Sequence, residues 1–359
     1  MQGCFDLTTI GATADIFEEF QQYSARGLML GRVSVAHSGR YRLYTERGEV
    51  TAEAIGALLY RTERFGWPAV GDWVAAQAVG PDEAMIHAVL RRRTLFSRRA
   101  AGDREREQVM AANIDLVLIV CGLDQEFNVR RIERYLTLAQ AGGVQATIVL
   151  NKLDACPEPG ARIEEARRVA GGAPVLAITA RTAGGIAPLS RLLRPGQTVA
   201  LLGSSGVGKS TLVNQLLGVE RQRVQAVRES DSRGRHTTTY RELLPLPQGA
   251  VLIDTPGMRE LQLWADEDSL DAAFADIAAL ASGCRFGDCN HVLEQGCAVQ
   301  AAIASGDLDA SRWESYRKLR AEIAWHVRQT DIQAAQAQKR RWKAIHKAMR
   351  KDYKRNPLV

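Results

Sequence analysis

The chain has 359 residues, 46% of them apolar and 25% charged, with a net charge of +6; this is the composition of a folded protein of two or three domains, not of a disordered or fibrous chain. Its longest apolar runs, such as Leu116–Cys121 and Val199–Leu202, are far too short to span a bilayer. Acidic residues (Asp6, Asp15, Glu18, Glu19) stand where a secretory signal would carry basic ones, so the expectation is a cytoplasmic protein with no membrane partner.

Residues 1–25 read as a mobile or helical lead-in. From Gly27 to about Leu90 the pattern is short β-type runs with turn signals: Leu28–Val35, Arg40–Thr45, Glu49–Ile55, Ala69–Ala76 and Ala84–Leu90. Such spacing predicts a small all-β barrel over 26–95, of the OB type. Arg91–Arg93 and Arg98-Arg99 read as a basic linker closing it.

From Ile114 the pattern changes to apolar strands alternating with amphipathic helices. Strands are predicted at Asp115–Gly122, Gln145–Leu150, Pro174–Ile178, Gln197–Leu202 and Ala250–Asp254. Helices are predicted at Val129–Gln140, Ala161–Ala170 and Lys209–Leu217. In the first helix Ile132, Tyr135, Leu136 and Ala139 share one face. This alternation implies an α/β domain with a parallel sheet, over 96–268. Past Ser269 the chain turns Ala-rich and helical, a third domain over 269–359.

Gly203-Ser204-Ser205-Gly206-Val207-Gly208-Lys209-Ser210-Thr211 follows a strand and opens a helix. In that context G-x-x-x-x-G-K-[ST] is a phosphate loop. Its glycines let successive N–H groups turn inward toward phosphate, and the helix N-terminus favours an anion. Lys209 is placed to reach the β/γ-phosphates and Ser210 to ligate Mg²⁺. Asn151-Lys152-Leu153-Asp154 selects the base. The Asp154 carboxylate can accept from guanine N1–H and the 2-amino group, and adenine would leave it unpaired. Thr179-Ala180, after the next strand, offers a backbone N–H to the guanine carbonyl oxygen. Asp254-Thr255-Pro256-Gly257 closes the set: Asp254 holds Mg²⁺ through water, and the Gly257 N–H bonds the γ-phosphate.

The order is informative. The base-reading motif comes about fifty residues before the phosphate loop, the reverse of Ras-like enzymes, which implies a circularly permuted P-loop GTPase. Met258 stands where those enzymes carry a water-orienting Gln. Between loop and switch, Gly234-Arg235-His236-Thr237-Thr238-Thr239 offers His236 to position water and Thr238, preferred over Thr237, to ligate Mg²⁺. Chemistry alone leaves His236 balanced between that role and a plain loop histidine.

Six cysteines are present, and three of them, Cys284, Cys289 and Cys297, fall within fourteen residues beside His291. In a reducing compartment this is a complete tetrahedral donor set for one structural Zn²⁺, with no position open for catalysis. Between Lys339 and Val359 nine basic residues meet one acid, a local +8 that leaves −2 of the total +6 for the rest. There Trp342, Ile345, Met349 and Tyr353 recur at helical spacing. A basic amphipathic helix of this kind suits a polyanion such as rRNA.

Together the permuted order, the Gly203–Thr211 loop, the Gly234–Thr239 segment, Asp254–Gly257 followed by Met258, and the Cys284/Cys289/His291/Cys297 spacing resemble the ribosome small-subunit-dependent GTPase A family (RsgA, also called YjeQ), from about Gly27 onward. The resemblance implies an OB-fold, a permuted GTPase domain and a C-terminal zinc domain. It implies late maturation of the small ribosomal subunit, with GTP hydrolysed to GDP under stimulation by that subunit. The family's catalytic histidine falls on His236. A monomer is expected. Two other classes remain open: an RNA-binding scaffold using GTP as a structural ligand or slow switch, and an ATP-dependent kinase, against which Asp154 argues.

Overall fold

The computed structural model describes residues 5–37, 39–56, 58, 67–100, 103–219, 241–254, 267–287, 289–292 and 294–324. His236, Thr238, Gly257, Met258 and the basic tail lie outside these residues.

Five strands, β1 (Met29–His37), β2 (Arg40–Thr45), β3 (Gly48–Ala54), β4 (Trp73–Ala78) and β5 (Glu83–Val89), are ordered β1-β2-β3-β5-β4, and β1 also pairs with β4. That last pairing closes the ribbon into a barrel, which removes its edges. Inward-facing residues fill the interior: Val33, Tyr41, Leu43, Val50, Val74 and Ile86 are all buried there. Of the two readings of the lead-in, the helical one holds for residues 14–24. These form helix α1 (Ala14–Ser24), and Leu7, Ile10 and Ile16 are buried against the core.

Two strands then form a separate antiparallel ribbon, β6 (Leu95–Ala100) and β7 (Asp103–Ala112). Of the segment read as a basic linker, Arg98 and Arg99 therefore lie in a hairpin strand, and Arg91–Arg93 stand in the connection between β5 and β6.

The second unit is a parallel sheet. Strands β8 (Leu116–Gly122), β9 (Gln145–Asn151), β10 (Val175–Ala177), β11 (Thr198–Leu202) and β13 (Val251–Asp254) lie in the order β10-β9-β8-β11-β13, all parallel. β8 and β11 are buried on both faces along their whole length, as parallel strands covered by helices must be, β9 and β13 over most of theirs, and β10 at the sheet edge is half-buried. On β8, Val117, Ile119 and Cys121 pack with Ile132, Tyr135, Leu136 and Ala139 of helix α2 (Val129–Ala141), while Leu116, Leu118 and Val120 pack with Leu189, Leu212, Val213 and Leu216 on the other side. Helices α3 (Pro159–Val169), α4 (Ala187–Leu192) and α5 (Lys209–Leu217) complete the layers. A strand not expected from the sequence, β12 (Arg241–Pro245), runs antiparallel to β13. It also pairs with β1 at Val35↔Glu242 and Ala36↔Arg241, so barrel and parallel sheet form one eleven-stranded sheet.

Arg32 pins the seam between the two units. Its guanidinium is fully buried and donates to the carbonyls of Ile10, Gly71 and Asn113 and to Thr198 Oγ1 at 2.8 Å, while stacking 5.2 Å from the Trp73 ring. Burial brings its pKa down to about 10, outweighing the opposing pull of the Asp115 and Asp72 carboxylates.

The C-terminal part is helical: α6 (Glu267–Ala273), α7 (Ala275–Ala281), α8 (Ala298–Ser305) and α9, residues 310–324. Phe274, Ile277, Tyr316 and Ile323 join the same core as α2. No helix among the described residues is long and apolar enough to cross a membrane.

Candidate nucleotide site and metal centre

The carboxyl ends of five parallel strands converge on one edge of the sheet, the place where open α/β sheets bind ligands. β11 lies between β8 and β13 and ends at Leu202, and its turn into α5 is the Gly203–Ser210 loop. Two glycines there meet steric demands. Gly203 has φ +153, and a Cβ on it would lie 2.4 Å from the Val120 carbonyl of β8. Gly208 has φ +93, and a Cβ on it would lie 2.3 Å from Asn151 Nδ2. No L side chain fits either place. Val207 is buried between them, whereas Ser205 and Gly206 face solvent. The Lys209 ammonium donates to the carbonyls of Gly203 (2.7 Å) and Ser204, which holds it across the mouth of the loop. Ser210 and Thr211 open α5 and are half-buried.

One strand over, β9 ends at Asn151. This side chain is buried and bridges two loops: its Nδ2 donates to the Val207 carbonyl at 2.8 Å, and its Oδ1 accepts from the Ala180 N–H at 2.9 Å. Thr179 and Ala180 follow β10. Asn151 therefore fastens the phosphate loop to the loop after β10; of the two backbone N–H groups in Thr179-Ala180, that of Ala180 is given to Asn151 and that of Thr179 to the Gly185 carbonyl at 3.3 Å. Lys152 adopts φ +65 and its Nζ donates to Asp124 Oδ2. Asp154 lies in a single 3-10 turn, exposed, with Arg181 at 3.7 Å; so exposed a pair contributes little by itself and leaves the carboxylate open to a ligand. Asp254 ends β13, the strand beside β11, half-buried.

Two residues at this edge escape sequence motifs. Asp124, just past β8, accepts from Lys152 and from the Glu126 N–H at 3.1 Å. Partial burial pushes its carboxyl up, but the Lys152 hydrogen bond and the Glu126 N–H outweigh that and leave it below its ordinary 3.8. An acid two residues beyond a parallel strand was the available signal. Arg131, on the first turn of α2, donates to Ser204 Oγ at 2.6 Å.

The cysteine cluster assembles away from this edge. The donor atoms of Cys284, Cys289, His291 and Cys297 all lie within 4.8 Å of one another. The spacing fits a tetrahedral Zn²⁺: with Zn–S of about 2.3 Å and Zn–N of about 2.0 Å, sulfurs should stand about 3.8 Å apart and sulfur and nitrogen about 3.5 Å. Observed are 3.9 Å for Cys284–Cys297 and 3.4 Å from His291 Nδ1 to either sulfur. The surroundings suit thiolates as well. The Ala298 N–H donates to Cys284 Sγ and the Gln300 N–H to Cys297 Sγ, each at 3.4 Å. Burial opposes ionisation of Cys284, yet the Ala298 and Val299 N–H groups bring its thiol below the ordinary value. His291 is held at φ +58, with its carbonyl bonded by Gln300 at 2.6 Å and its ring edge-on to Trp313 at 5.7 Å. Such outer contacts fix ligand orientation.

A phosphate loop on an inner strand of the parallel sheet, with an Asn-Lys-x-Asp loop on a strand that precedes it in the chain, defines a circularly permuted P-loop GTPase. A model of the RsgA GTPase family matches residues 89–264. A protein of Opitutus terrae named small ribosomal subunit biogenesis GTPase RsgA is 49% identical over 355 residues, covering 96% of this chain and 97% of its own. A protein of the same name from Xylella fastidiosa strain 9a5c is 54% identical over 267 residues, 73% of this chain and 76% of its own. The crystal structure of YjeQ from Thermotoga maritima superposes with a TM-score of 0.63 at 27% identity, covering 83% of this chain and 99% of that one. YloQ, described as a circularly permuted GTPase, gives 0.60 at 23% identity over 83% of this chain and 95% of its own, a likeness of fold. The chain belongs to the RsgA family, and it is a GTP-hydrolysing enzyme.

Proposed function

We propose that this enzyme binds the small ribosomal subunit and assists its late maturation, hydrolysing GTP to GDP and phosphate as it does so. The observation that carries the reading is the extent of the likeness. A relative named for small-subunit biogenesis matches over 97% of its own length and 96% of this chain, so too little remains outside the match to exclude the barrel, the nucleotide strands or the cysteine cluster.

In this reading residues 26–95 form an OB-fold, 96–268 the permuted GTPase domain and 269–359 the zinc domain, with 1–25 as an extension. Asn151, Lys152 and Asp154 read guanine, with Thr179 and Ala180 beside them. Gly203 through Thr211 cradle the phosphates. Ser210 and Thr238 ligate Mg²⁺, Asp254 holds it through water, and the Gly257 N–H senses the γ-phosphate. His236 orients the attacking water, a task Met258 cannot perform. Cys284, Cys289, His291 and Cys297 hold one structural Zn²⁺. The strand arrangement of the barrel supports rRNA binding through its face and loops, and the basic tail adds phosphate contacts. The protein works as a monomer in the cytoplasm.

The test is multiple-turnover hydrolysis with and without small subunits, using large subunits as the control. Stimulation by small subunits alone is expected. Equal rates in all three would remove the ribosome from the reading. His236→Ala separates enzyme from scaffold: hydrolysis should fall by about 100-fold or more if His236 orients water, and negligible wild-type hydrolysis with unchanged assembly would favour the scaffold.

A further inference from the structure

Helix α2 belongs to neither nucleotide motif, yet its first two turns touch the phosphate loop and the C-terminal helix together. Toward the nucleotide edge, Arg131 donates to Ser204 Oγ at 2.6 Å and pairs with Glu126 at 3.2 Å. Its own backbone is fixed, because Asn128 caps the helix by accepting from the Arg131 N–H at 3.1 Å. On the C-terminal side, Arg134 grips both carboxylate oxygens of Glu322 at 2.8 Å. Glu133, 2% exposed, accepts from Arg312 at 2.8 Å, and Arg312 forks onto Asp276 at 2.6 and 2.7 Å. Arg312 also lies 4.7 Å over the Phe274 ring.

The two ends differ in kind. Arg312–Glu133 is buried and bidentate Arg134–Glu322 is directional, so the C-terminal module holds the helix firmly. Arg131 is a single long side chain shared between one hydroxyl and the half-exposed Glu126 carboxylate. That hydroxyl belongs to the residue after Gly203, which is pressed so close to β8 that it cannot carry a Cβ. Ser204 is thus clamped between the sheet edge and Arg131, and its carbonyl is one of the two that hold Lys209.

We propose that Arg131 is a positioning residue for GTP binding and hydrolysis, and that it links the phosphate loop to the C-terminal module through α2. This rests on Gly203–Ser210 being the phosphate site. Coupling of this kind is reciprocal: whatever the C-terminal module binds must alter nucleotide affinity by the same factor that nucleotide alters its own binding.

The full-length chain is titrated with fluorescent GDP and a fluorescent non-hydrolysable GTP analogue, and steady-state GTP hydrolysis is measured in parallel. Lys209→Ala tests the underlying site: unchanged nucleotide binding there would remove the phosphate-loop reading, whatever Arg131 does. With that site intact, Arg131→Ala should weaken both nucleotides about fivefold, the size of one partly exposed charged hydrogen bond. The loss should fall mainly on KM, and Arg131→Lys should recover part of it. Ser204→Ala should cost a similar factor, and the double variant should be no worse than either single one. Glu322→Gln should weaken nucleotide binding about twofold in the wild-type background and not at all beside Arg131→Ala. Additive losses for Arg131→Ala and Ser204→Ala would overturn the positioning role. A Glu322→Gln effect that persists undiminished without Arg131 would overturn the link. Because Ser204→Ala is a small cut on a folded loop, the test stands even if Arg131→Ala folds poorly.

Discussion

Asn151 offers a sharp test of how this nucleotide edge is built. The side chain is 3% exposed and satisfies two backbone groups that are themselves buried, the Val207 carbonyl at 2.8 Å and the Ala180 N–H at 2.9 Å. Asn151→Ala leaves both without a partner. Each orphaned buried group costs roughly 1–3 kcal/mol, so the pair costs about 2–6 kcal/mol, a large fraction of the 5–15 kcal/mol typical of a folded protein. Because Val207 and Ala180 lie on two different loops, the damage should be concentrated at the site. GTP affinity is expected to fall more than tenfold by fluorescence titration, and the urea midpoint to fall with it. Asn151→Asp sharpens the test. It keeps the acceptor for Ala180 but sets a carboxylate against the Val207 carbonyl, so the folded state raises its pKa above the unfolded value near 3.9. For an acid raised in this way, the penalty is absent below the unfolded pKa and grows as pH rises through the folded one. Asn151→Asp should therefore be less stable than Asn151→Ala at pH 7 and recover near pH 4, where the protonated acid can donate to Val207. A loss under about 1 kcal/mol for Asn151→Ala, or an Asn151→Asp midpoint that keeps its offset at acid pH, would refute this account.

Arg32→Met removes the donor for three buried carbonyls and Thr198 Oγ1. A loss of about 3 kcal/mol should lower the thermal midpoint by roughly 4 °C in a chain of this length, and an unchanged midpoint would show that the seam does not depend on it. Lys152→Ala frees Asp124, whose carboxyl the wild type holds below its ordinary 3.8. A depressed carboxylate contributes stability above its unfolded pKa and loses it as pH falls through the folded one. The stability gap between wild type and Lys152→Ala should thus be full at pH 7 and close below about pH 4 in urea titrations. One zinc per chain is expected by elemental analysis. Stripping it with a chelator should reduce the helical circular dichroism, because Cys297 caps α8 and Cys284 accepts from its first N–H; unchanged spectra on metal loss would argue against a structural ion.

Much of the parallel sheet was legible because its physics is local. A strand buried on both faces is an unbroken apolar run, as Leu116–Gly122 is, and the α2 face of Ile132, Tyr135, Leu136 and Ala139 follows helical spacing. The phosphate loop was legible because backbone crowding leaves only glycine at 203 and 208. What escaped depends on distant partners. The β6–β7 ribbon carries Arg98, Arg99 and the run Asp103–Glu107, whose charges hide any period-2 apolar signal. The burial of Leu7 and Ile10 follows no periodicity. β12 is five residues ending in proline, and nothing local tells it to pair with a barrel strand some two hundred positions earlier. Asp124 and Arg131 act through side chains across loops, a relation that spacing cannot encode.

The permuted order gains its mechanical meaning from β12. The chain reaches this strand directly from residues 220–240, which contain His236 and Thr238, and it leaves β13 directly into Thr255–Gly257. β12 lies between β13 and the barrel. Four registered pairs tie it to β13, from Glu242↔Asp254 to Pro245↔Val251, whereas two tie it to β1. Side chains reinforce the shorter ladder: Tyr44 Oη donates to the Leu243 carbonyl at 3.1 Å and Arg42 stands 3.6 Å from Glu242. A backbone displacement arriving at Arg241 therefore meets the barrel first, at Ala36, and from Glu242 onward acts on the barrel, through a second ladder position, one hydroxyl and one partly exposed ion pair, together with the longer ladder to β13. The C-terminal module is joined elsewhere, through α2 and, in chain order, through the segment after Asp254. Loosening the barrel side by Tyr44→Phe removes only the hydroxyl that holds Leu243 and leaves the ring against Phe5 at 4.4 Å. If nucleotide state reaches the barrel by this route, Tyr44→Phe should reduce the difference between GTP-bound and GDP-bound affinity for a polyanionic partner while leaving nucleotide affinity unchanged. An undiminished difference would place the connection outside β12.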